Sequence, residues 1–329
     1  MHRIALQDNG RIEQQAIKMK TLVTGGAGFI ASHLTKELIK QGHSVWVLDT
    51  LHTGSLSNLG RYRKKIHFRK TRAGTLSSLN QKFDIIFHLG MPSSSPMYRQ
   101  NHSLFSQTID DATRILDYCR QNNVPLVYAS TSSLYGNRQP PAIETAPIIP
   151  TDFYTETRYC IERLAKVYND LYGVRSIGLR YFSVYGDGEQ SKGKYANLIS
   201  QFIWAAKKKQ HPVIYGDGYQ SRDFIHVNDV VRANLLSWEL LKDKTANLAE
   251  IINIGTGKCH SLNYVIRELS EALQLTIKPK YIPNPIKNYI MKTRANTNKA
   301  KFCLGFETEI PLEKGIRMVL KKKGTTVPF

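Results

Sequence analysis

The feature that most constrains this chain is a run of small residues, TGGAGFIASH at 24–33, set between a short apolar run and a helical pattern. Its spacing is G-x-x-G-x-x-A, with Gly25, Gly28 and Ala31 at the three marked positions. The first glycine permits a tight turn, the second lets the backbone approach a diphosphate, and the alanine keeps the helix close to the sheet. Because the helix N-terminus also offers free N–H groups to phosphates, the segment predicts a dinucleotide site.

The end of the next predicted strand carries an acid, Asp49. A carboxylate at this position accepts hydrogen bonds from a ribose 2′-hydroxyl and repels a 2′-phosphate, which favours NAD over NADP. We expect Phe29 and Ile30, directly after the second glycine, and Leu89, at the end of a later strand, to contact the same cofactor. The alternative is a tight turn without a ligand, which the combination of strand, helix and terminal acid disfavours.

Apolar runs and helical patterns alternate along the first half of the chain. Strands are predicted at 21–24, 44–48, 83–89, 126–129 and 176–182, and helices at 29–40, 108–122 and 155–172, the last ending at Gly173. Such alternation predicts an α/β fold with a Rossmann-type, doubly wound parallel sheet and right-handed crossovers.

Beyond this region Gly, Asp, Lys and Pro become frequent and the elements become shorter, which predicts a smaller C-terminal lobe. We assign residues 19–182 to the dinucleotide-binding domain, with 227–257 returning to it. The smaller lobe is then formed by 183–226 and 258–329. Residues 1–18 precede the first strand and are interpreted as an N-terminal extension.

Composition narrows the class of protein. No apolar stretch approaches the ~20 residues of a membrane span, and the N-terminus lacks the apolar core of a secretory signal, so we expect a cytoplasmic protein. The four cysteines form no CxxC pair, and neither a metal site nor a disulfide framework is expected. The net charge is +20, but Lys and Arg are spread over the chain and no nucleic-acid-reading motif is present. Peripheral contact with a membrane or another polyanion stays open.

The cofactor segment closely resembles that of the extended short-chain dehydrogenase/reductase superfamily, in particular its NAD-dependent sugar-nucleotide epimerases and dehydratases. Two further segments, ASTSSLYG at 129–136 and YTETRYCIE at 154–162, resemble the same family. The resemblance implies Thr131, Ser133 and Tyr154 as catalytic residues. It also implies a lysine four residues after the tyrosine, where this chain has Arg158.

The chemistry explains these residue types. Oxidation of a sugar hydroxyl needs a base for the proton while the hydride leaves to NAD, and a hydroxyl such as that of Thr131 can relay the proton. Tyr154 and Arg158 lie four positions apart, on one helix face, where a fixed cation stabilises a tyrosinate. Arginine keeps the charge of lysine but is wider, planar and never deprotonated. Full activity, weakened activity and a binding protein that has lost catalysis therefore all stay open.

The resemblance also implies substrate-binding residues in the second half of the chain. A diphosphate needs fixed cations and amide donors, and Asn197, Arg222 and Arg294 match or approach the family's phosphate-binding positions. Ser183 stands where the family often has a substrate-contacting asparagine. For Arg222, a salt bridge to the neighbouring Asp223 is the structural alternative.

Several departures from the family pattern favour an unusual substrate or reduced activity. The aspartate that commonly contacts adenine has no counterpart in FRKTRAGTL at 68–76. An asparagine that the family places before the catalytic strand is replaced near Thr108. Asn296 stands where the family usually has aspartate.

The residues after Thr131 help to choose a reaction. In the family, dehydratases carry an Asp-Glu pair at this place and decarboxylases a Glu at its second position, whereas this chain has Ser132 and Ser133. The resemblance therefore favours an NAD-dependent 4-epimerase that works through a transient 4-keto sugar, with a UDP-hexose or another NDP-sugar as substrate. A homodimer is usual for the family. The alternatives are a UDP-uronate epimerase or decarboxylase, and a catalytically degenerate sugar-nucleotide-binding homologue.

Overall fold

A computed structural model describes residues 18–245, 247–286 and 289–321. The predicted extension at 1–18 lies, except for Lys18, outside the described residues. The strands are β1 Lys20–Thr24, β2 Ser44–Asp49, β3 Ile66–Lys70, β4 Ile85–His88, β5 Leu126–Thr131, β6 Ser176–Tyr181, β7 Ser183–Tyr185, β8 Val213–Tyr215, β9 Ser221–Arg222, β10 Phe224–His226, β11 Ala249–Ile254, β12 His260–Ser261 and β13 Lys280–Ile282. The helices are α1 Phe29–Lys40, α2 Ser95–Gln100, α3 Ser103–Asn122, α4 Phe153–Tyr172, α5 Leu198–Lys207, α6 Val227–Leu241, α7 Leu262–Leu273, α8 Asn298–Leu304 and α9 Leu312–Lys321.

A seven-stranded sheet with the strand order β3-β2-β1-β4-β5-β6-β11 forms the centre of the fold. Every neighbouring pair in it is parallel. The order reverses between β1 and β4, and at such a switch point the loops after the two strands diverge and leave a crevice at the carboxyl edge. The predicted α/β fold with a Rossmann-type, doubly wound parallel sheet is therefore confirmed.

Helices cover both faces of the sheet, as the apolar character of its strands requires. On one face, Leu34 and Leu38 of α1 pack with Val230 and Trp238 of α6 against the strands. On the other face, Ile115 of α3 and residues of α4 do the same. Among the described residues, no helix is long and apolar enough to cross a membrane.

A third apolar cluster, formed by α5, α7 and α9, lies apart from the two layers around the sheet. Its members include Phe202, Phe224, Leu269 and Ile316, all of them buried. Short strand pairs, β7 with β10 and β8 with β13, flank this cluster. The stretch 227–257 supplies α6 and the outermost sheet strand β11, whereas the domain limits themselves stay a prediction.

The predicted elements are present, and several of their ends are shifted; strand β4, for example, spans Ile85–His88 rather than 83–89. Helix α3 begins at Ser103 rather than 108, because the side chain of Asn101 accepts a hydrogen bond from the Ser103 N–H and starts the helix earlier. Strand β5 continues beyond 129 to Thr131, which pairs with Tyr181 of β6. Helix α4 begins at Phe153 rather than 155 and ends at Gly173, whose φ of +67° is a left-handed cap conformation.

Candidate active site

A cleft of about 350 Å³ opens at the carboxyl edge of the sheet, at the switch point between β1 and β4. It brings together residues that are far apart in the sequence. The predicted site residues that line it are Gly25, Gly28, Phe29, Ile30, Asp49, Leu89, Thr131, Tyr154, Arg158 and Asn197. Four others, Ser133, Ser183, Arg222 and Arg294, do not line it.

The glycine loop at the start of α1 has the shape of a phosphate cradle. Gly25 has a φ of +68°, and a Cβ atom on it would lie 2.5 Å from the Cα of Gly90. The Gly28 N–H donates to the Gly25 carbonyl at 2.7 Å, and Gly28 caps α1 without any side-chain acceptor. The first turn of α1 contains no acidic residue, so its free N–H groups and dipole are available to an anion. This backbone fits the diphosphate of a dinucleotide.

Asp49, at the end of β2, is held in place by backbone donors. One carboxylate oxygen accepts from the Ala27 N–H at 2.9 Å and the other from the Leu51 N–H at 2.7 Å. Burial raises the pKa of Asp49, while these backbone hydrogen bonds oppose that shift. Because a carboxylate oxygen can accept more than one hydrogen bond, the side chain can still accept from ribose hydroxyls in the cleft.

The two predicted catalytic hydroxyls come from different elements. Thr131 ends β5, and its Oγ1 accepts a hydrogen bond from the Ser133 N–H at 3.2 Å. Ser133 thus contacts the end of β5 through its backbone N–H. Tyr154 belongs to the first turn of α4, and its buried ring packs 5.9 Å from the ring of Tyr98.

A capping box fixes the start of α4 and with it the position of Tyr154. The Asp152 carboxylate accepts from the Thr155 N–H at 2.8 Å, and the Thr155 hydroxyl accepts from the Asp152 N–H at 3.2 Å. The other carboxylate oxygen of Asp152 accepts a hydrogen bond from Ser95 of α2. The tyrosine is therefore held between two helices whose ends are joined.

Arg158 lies one turn after Tyr154 and is only 4% exposed. Its guanidinium carbon is 5.2 Å from the centre of the Tyr154 ring. One terminal nitrogen donates to the Pro92 carbonyl at 2.7 Å, and the other contacts the Met91 sulfur. The cation thus lies beside the ring of Tyr154, while its terminal donors are directed at the loop after β4.

The imidazole of His88, at the end of β4, is fully buried next to this cation. Its Nδ1 lies 2.8 Å from the Thr24 hydroxyl, which also accepts from the Gly90 N–H at 3.0 Å. Burial, with a smaller effect from the charge of Arg158, lowers the pKa of His88 to about 3. A ring that stays neutral supports the packing of the loops over β1 and β4 and supplies no acid at neutral pH.

A buried polar network supports the strands below the cleft. Glu162 of α4 pairs with Arg180 of β6 at 2.7 Å, and both side chains are buried. The Ser130 hydroxyl donates to Glu162 at 2.5 Å, and Arg180 donates to the Tyr135 hydroxyl at 2.8 Å. Burial raises the pKa of Tyr135 to about 12. The network joins the end of β5, which carries Thr131, to the helix that carries Tyr154.

On the substrate side, Asn197 is the predicted residue that lines the cleft. Its side-chain oxygen caps α5 by accepting from the Ile199 N–H at 3.0 Å. Its side-chain nitrogen lies 3.5 Å from the Ser183 hydroxyl, at the limit of a hydrogen bond. The amide therefore has donor capacity left for a ligand.

Arg222 is not neutralised by its neighbour. Its guanidinium stacks 5.2 Å from the Tyr289 ring centre, and burial lowers the pKa of Arg222. Asp223 instead accepts from the Thr256 N–H at 2.7 Å and from the Gly257 and Ala295 N–H groups at 3.0 Å each. Within the described ranges, no ion pair forms between Arg222 and Asp223, so the structural alternative for Arg222 is not observed.

Arg294 belongs to a segment that runs beside β9. The Thr293 N–H donates to the Ser221 carbonyl at 3.1 Å, and the Arg294 carbonyl accepts from the Ala142 N–H at 2.8 Å. The Nε atom of Arg294 is buried, with no partner among the residues that the structure describes. Arg222 and Arg294 therefore lie on neighbouring backbone segments of the smaller lobe.

Two cations of the cleft are absent from the sequence-based set, Arg72 and Lys192. Arg72 pairs with Asp110 and Asp111, at 3.2 and 3.1 Å. Nothing local to either residue identifies it as part of the site. Throughout the part of the chain that the structure describes, no group of three or more His, Cys, Asp or Glu side chains is placed to hold a metal ion.

Comparison with known proteins points to one family. The sequence model described as "NAD dependent epimerase/dehydratase family" matches residues 21–255. An uncharacterized UDP-glucose epimerase of Bacillus subtilis is 32% identical over 312 residues, which cover 91% of this chain and 96% of that protein.

Solved structures give the same result. A UDP-glucose 4-epimerase of Thermotoga maritima, solved with UDP-glucose, superposes with a TM-score of 0.83 at 30% identity, covering 92% of this chain and 98% of that one. A UDP-glucuronic acid 4-epimerase of Bacillus cereus, solved with UDP-glucuronic acid and NAD, superposes with a TM-score of 0.81 at 25% identity. The superposition covers 92% of this chain and 98% of the Bacillus chain.

Proposed function

The chain belongs to the NAD dependent epimerase/dehydratase family, with NAD as its cofactor, and we propose that it is a 4-epimerase of nucleotide-diphosphate sugars acting on a UDP-hexose. One observation carries the proposal: Tyr154 and Thr131 line the same cleft as the glycine loop of α1. A phenol and a hydroxyl at the carboxyl edge of the sheet can act on a sugar held beside a dinucleotide.

Each residue then has a defined part in the reaction. Bound along the glycine loop of α1 and Asp49, NAD would supply the hydride acceptor and donor for C4 of the sugar. Tyr154 takes the proton of the C4 hydroxyl, which Thr131 orients, and gives it back after the 4-keto sugar has turned its other face. The positive charge of Arg158, held beside the Tyr154 ring, favours the phenolate that is present before the first proton transfer and again after the second.

The side chains after Thr131 favour oxidation and re-reduction over elimination. Loss of water from the sugar needs an acid near the leaving hydroxyl, and the next two residues are Ser132 and Ser133. Neither is acidic at physiological pH.

A panel of sugar nucleotides tests the proposal. Purified protein is incubated with UDP-glucose, UDP-galactose, their N-acetylated forms, UDP-glucuronic acid, and GDP- and dTDP-hexoses, and the products are followed by chromatography and NMR. Interconversion of a C4 epimer pair is expected without net consumption of NAD. Absence of interconversion with every UDP-, GDP- and dTDP-sugar tested would contradict the proposal.

The second candidate is a UDP-uronate epimerase or decarboxylase. It is supported by the similarity to the Bacillus cereus enzyme solved with UDP-glucuronic acid. The same panel separates the possibilities, because a uronate epimerase yields UDP-galacturonic acid, whereas a decarboxylase releases CO₂ and a UDP-pentose.

The third candidate is a homologue that binds sugar nucleotides without catalysis, and Arg158 is the residue to change. Its terminal donors are directed at Pro92 and Met91, whereas a lysine at this position would be free to bond a ribose diol. If the native chain is inactive and Arg158→Lys creates activity, the binding role is supported. If the native chain is already active, the binding role is excluded.

A further inference from the structure

A segment of the smaller lobe crosses the cofactor side of the cleft. Residues 186–195, between β7 and α5, are named here the strap. The Ser191 hydroxyl of the strap donates to the Thr53 carbonyl at 2.7 Å, and an oxygen of Asp187 lies 3.2 Å from Nε2 of His33 on α1. Thr53 itself lines the cleft. The strap is therefore joined both to α1 and to the segment that follows β2.

Lys192 is the strap residue that reaches the N-terminus of α1. Its ammonium nitrogen is 5.3 Å from the centre of the ring of Phe29, the first residue of that helix. The side chain lines the cleft and is 15% exposed. The ammonium group therefore lies in the same cleft as the glycine loop, next to the side chain of the first residue of α1.

Glu189, the carboxylate that Lys192 contacts in the structure, also accepts hydrogen bonds from two other groups. The ammonium donates to Glu189 at 2.9 Å, and this buried carboxylate also accepts from the Asn197 N–H at 3.0 Å and from the Ser200 hydroxyl at 2.5 Å. Glu189 therefore keeps two hydrogen bonds if the flexible lysine turns toward an anion in the cleft.

The balance of charges in the cleft supports this reorientation of the Lys192 side chain toward an anion. A dinucleotide carries two negative charges on its diphosphate, and the helix N-terminus supplies only about half a positive charge. Of the other lysine and arginine side chains that line the cleft, Arg72 pairs with two aspartates and Arg158 is anchored on the loop after β4. Among the described residues, Lys192 is therefore the lysine or arginine of the cleft that contacts the first residue of α1, and its partner Glu189 has two other donors.

We propose that Lys192 binds the diphosphate of NAD from the strap, so that the strap closes over the cofactor and retains it. The inference rests on NAD binding and not on which sugar is epimerised. Glu189 contacts both Lys192 and the backbone of Asn197, so the same segment joins the cofactor diphosphate to the predicted substrate side.

Binding measurements on the full chain, stripped of nucleotide, test the proposal. The Kd values of NAD, ADP-ribose and adenosine are measured by calorimetry for the native chain and for Lys192→Met. A lost charge-assisted hydrogen bond weakens binding roughly tenfold to a hundredfold, and we expect this loss for NAD and ADP-ribose. Adenosine, which lacks a diphosphate, should bind both proteins equally.

Two further variants make the result specific. Lys194→Met changes an exposed lysine of the strap that does not line the cleft, and it should leave all three Kd values unchanged. Lys192→Arg keeps the charge and should recover most of the NAD affinity. If Lys192→Met does not fold, Lys192→Gln takes its place as the variant without the charge and is compared with Lys192→Arg.

Unchanged NAD affinity in a folded Lys192→Met or Lys192→Gln protein would overturn the inference, as would an equal loss for adenosine. Failure of the proposed epimerase would appear elsewhere, in the sugar-nucleotide panel, since these Kd values require no turnover.

Discussion

At the scale of single residues, the Tyr154 hydroxyl is the group whose removal changes the proposed chemistry most and the packing least. In Tyr154→Phe the ring keeps its contact with Tyr98, while the base for the sugar proton is lost. General acid–base catalysis contributes about 10²–10⁴-fold, so we expect kcat for the epimerisation to fall by at least ~100-fold. The unfolding temperature and the Kd of NAD should change little. Steady-state kinetics measures kcat, and calorimetry measures the unfolding temperature and the Kd.

Tyr159→Phe is the matched control, because this tyrosine belongs to the same helix but does not line the cleft. It should leave kcat within about twofold of the native value, as expected for a residue outside the catalytic machinery. Near-native turnover by Tyr154→Phe would show that another group takes the proton.

His88 predicts how stability responds to acid. In the folded chain its pKa is lowered to about 3, against an ordinary value of 6.5, so between these pH values the unfolded chain binds a proton that the folded chain does not. The free energy of unfolding therefore falls as the pH drops below about 6.5. Between pH 7 and pH 5 the loss from this residue is about 2 kcal/mol, an order-of-magnitude figure.

Urea unfolding at the two pH values measures this loss. In His88→Gln an amide oxygen can still accept from Thr24 but does not titrate, so the variant should lose about 2 kcal/mol less than the native chain between pH 7 and pH 5. Parallel pH profiles for His88→Gln and the native chain would refute the assignment.

The roles of residues could be predicted from the sequence where the local backbone geometry requires a particular residue type. A tight turn and the close approach of a diphosphate require Gly25 and Gly28, and Asp49 was identified by its place at the end of β2. What Arg158 contacts could not be read in the same way, because its partners Met91 and Pro92 lie more than 60 positions away and meet it only when β4 and α4 pack. The catalytic and binding roles of these residues stay predictions.

At the scale of elements, the capping box of α4 links helix stability to catalysis. Asp152→Ala removes the acceptor for the Thr155 N–H and the contact with Ser95 of α2. Loss of an N-cap costs about 0.5–2 kcal/mol, so chemical denaturation should show a decrease of this size. Because Tyr154 lies in the first turn, kcat should fall as well, with a smaller change in KM.

Asp152→Asn keeps an acceptor at the same position and should restore most of both losses. This variant separates two possible roles of Asp152, because an amide can cap the helix but cannot transfer protons as a carboxylic acid does. If Asp152→Asn were as inactive as Asp152→Ala, the capping explanation would be wrong.

Element types were predictable because the chain alternates strongly between apolar runs and helical spacing. The ends were less predictable where tertiary contacts set them. The pattern alone stops β5 at 129, but pairing with β6 extends it to Thr131, and this extension determines the orientation of the threonine at the cleft. The start of α3 depends on the side chain of Asn101, a polar residue outside any apolar period.

At the scale of the whole molecule, the sequence indicates two regions of different character but not how they meet. The strap places Lys192 next to Phe29, more than 160 positions earlier in the chain, through hydrogen bonds of Ser191 and a contact of Asp187. Neither spacing nor composition encodes that approach. Long-range contacts of this kind are why the cofactor loop could be found by inspection, whereas the cations around it could not.

The homodimer expected from the family resemblance is tested on the outer face of α4. Val167 and Leu171, one turn apart, are exposed there, Leu171 at 66%. Light scattering on a sizing column should give twice the 37.4 kDa mass of the chain, and Leu171→Glu should give single chains, because a charge in a buried apolar interface is costly. Leu275→Glu, which alters a leucine of similar exposure beyond the end of α7, should remain dimeric. A dimer that survives Leu171→Glu would place the interface on another face, and a single-chain mass for the native protein would contradict the expected dimer.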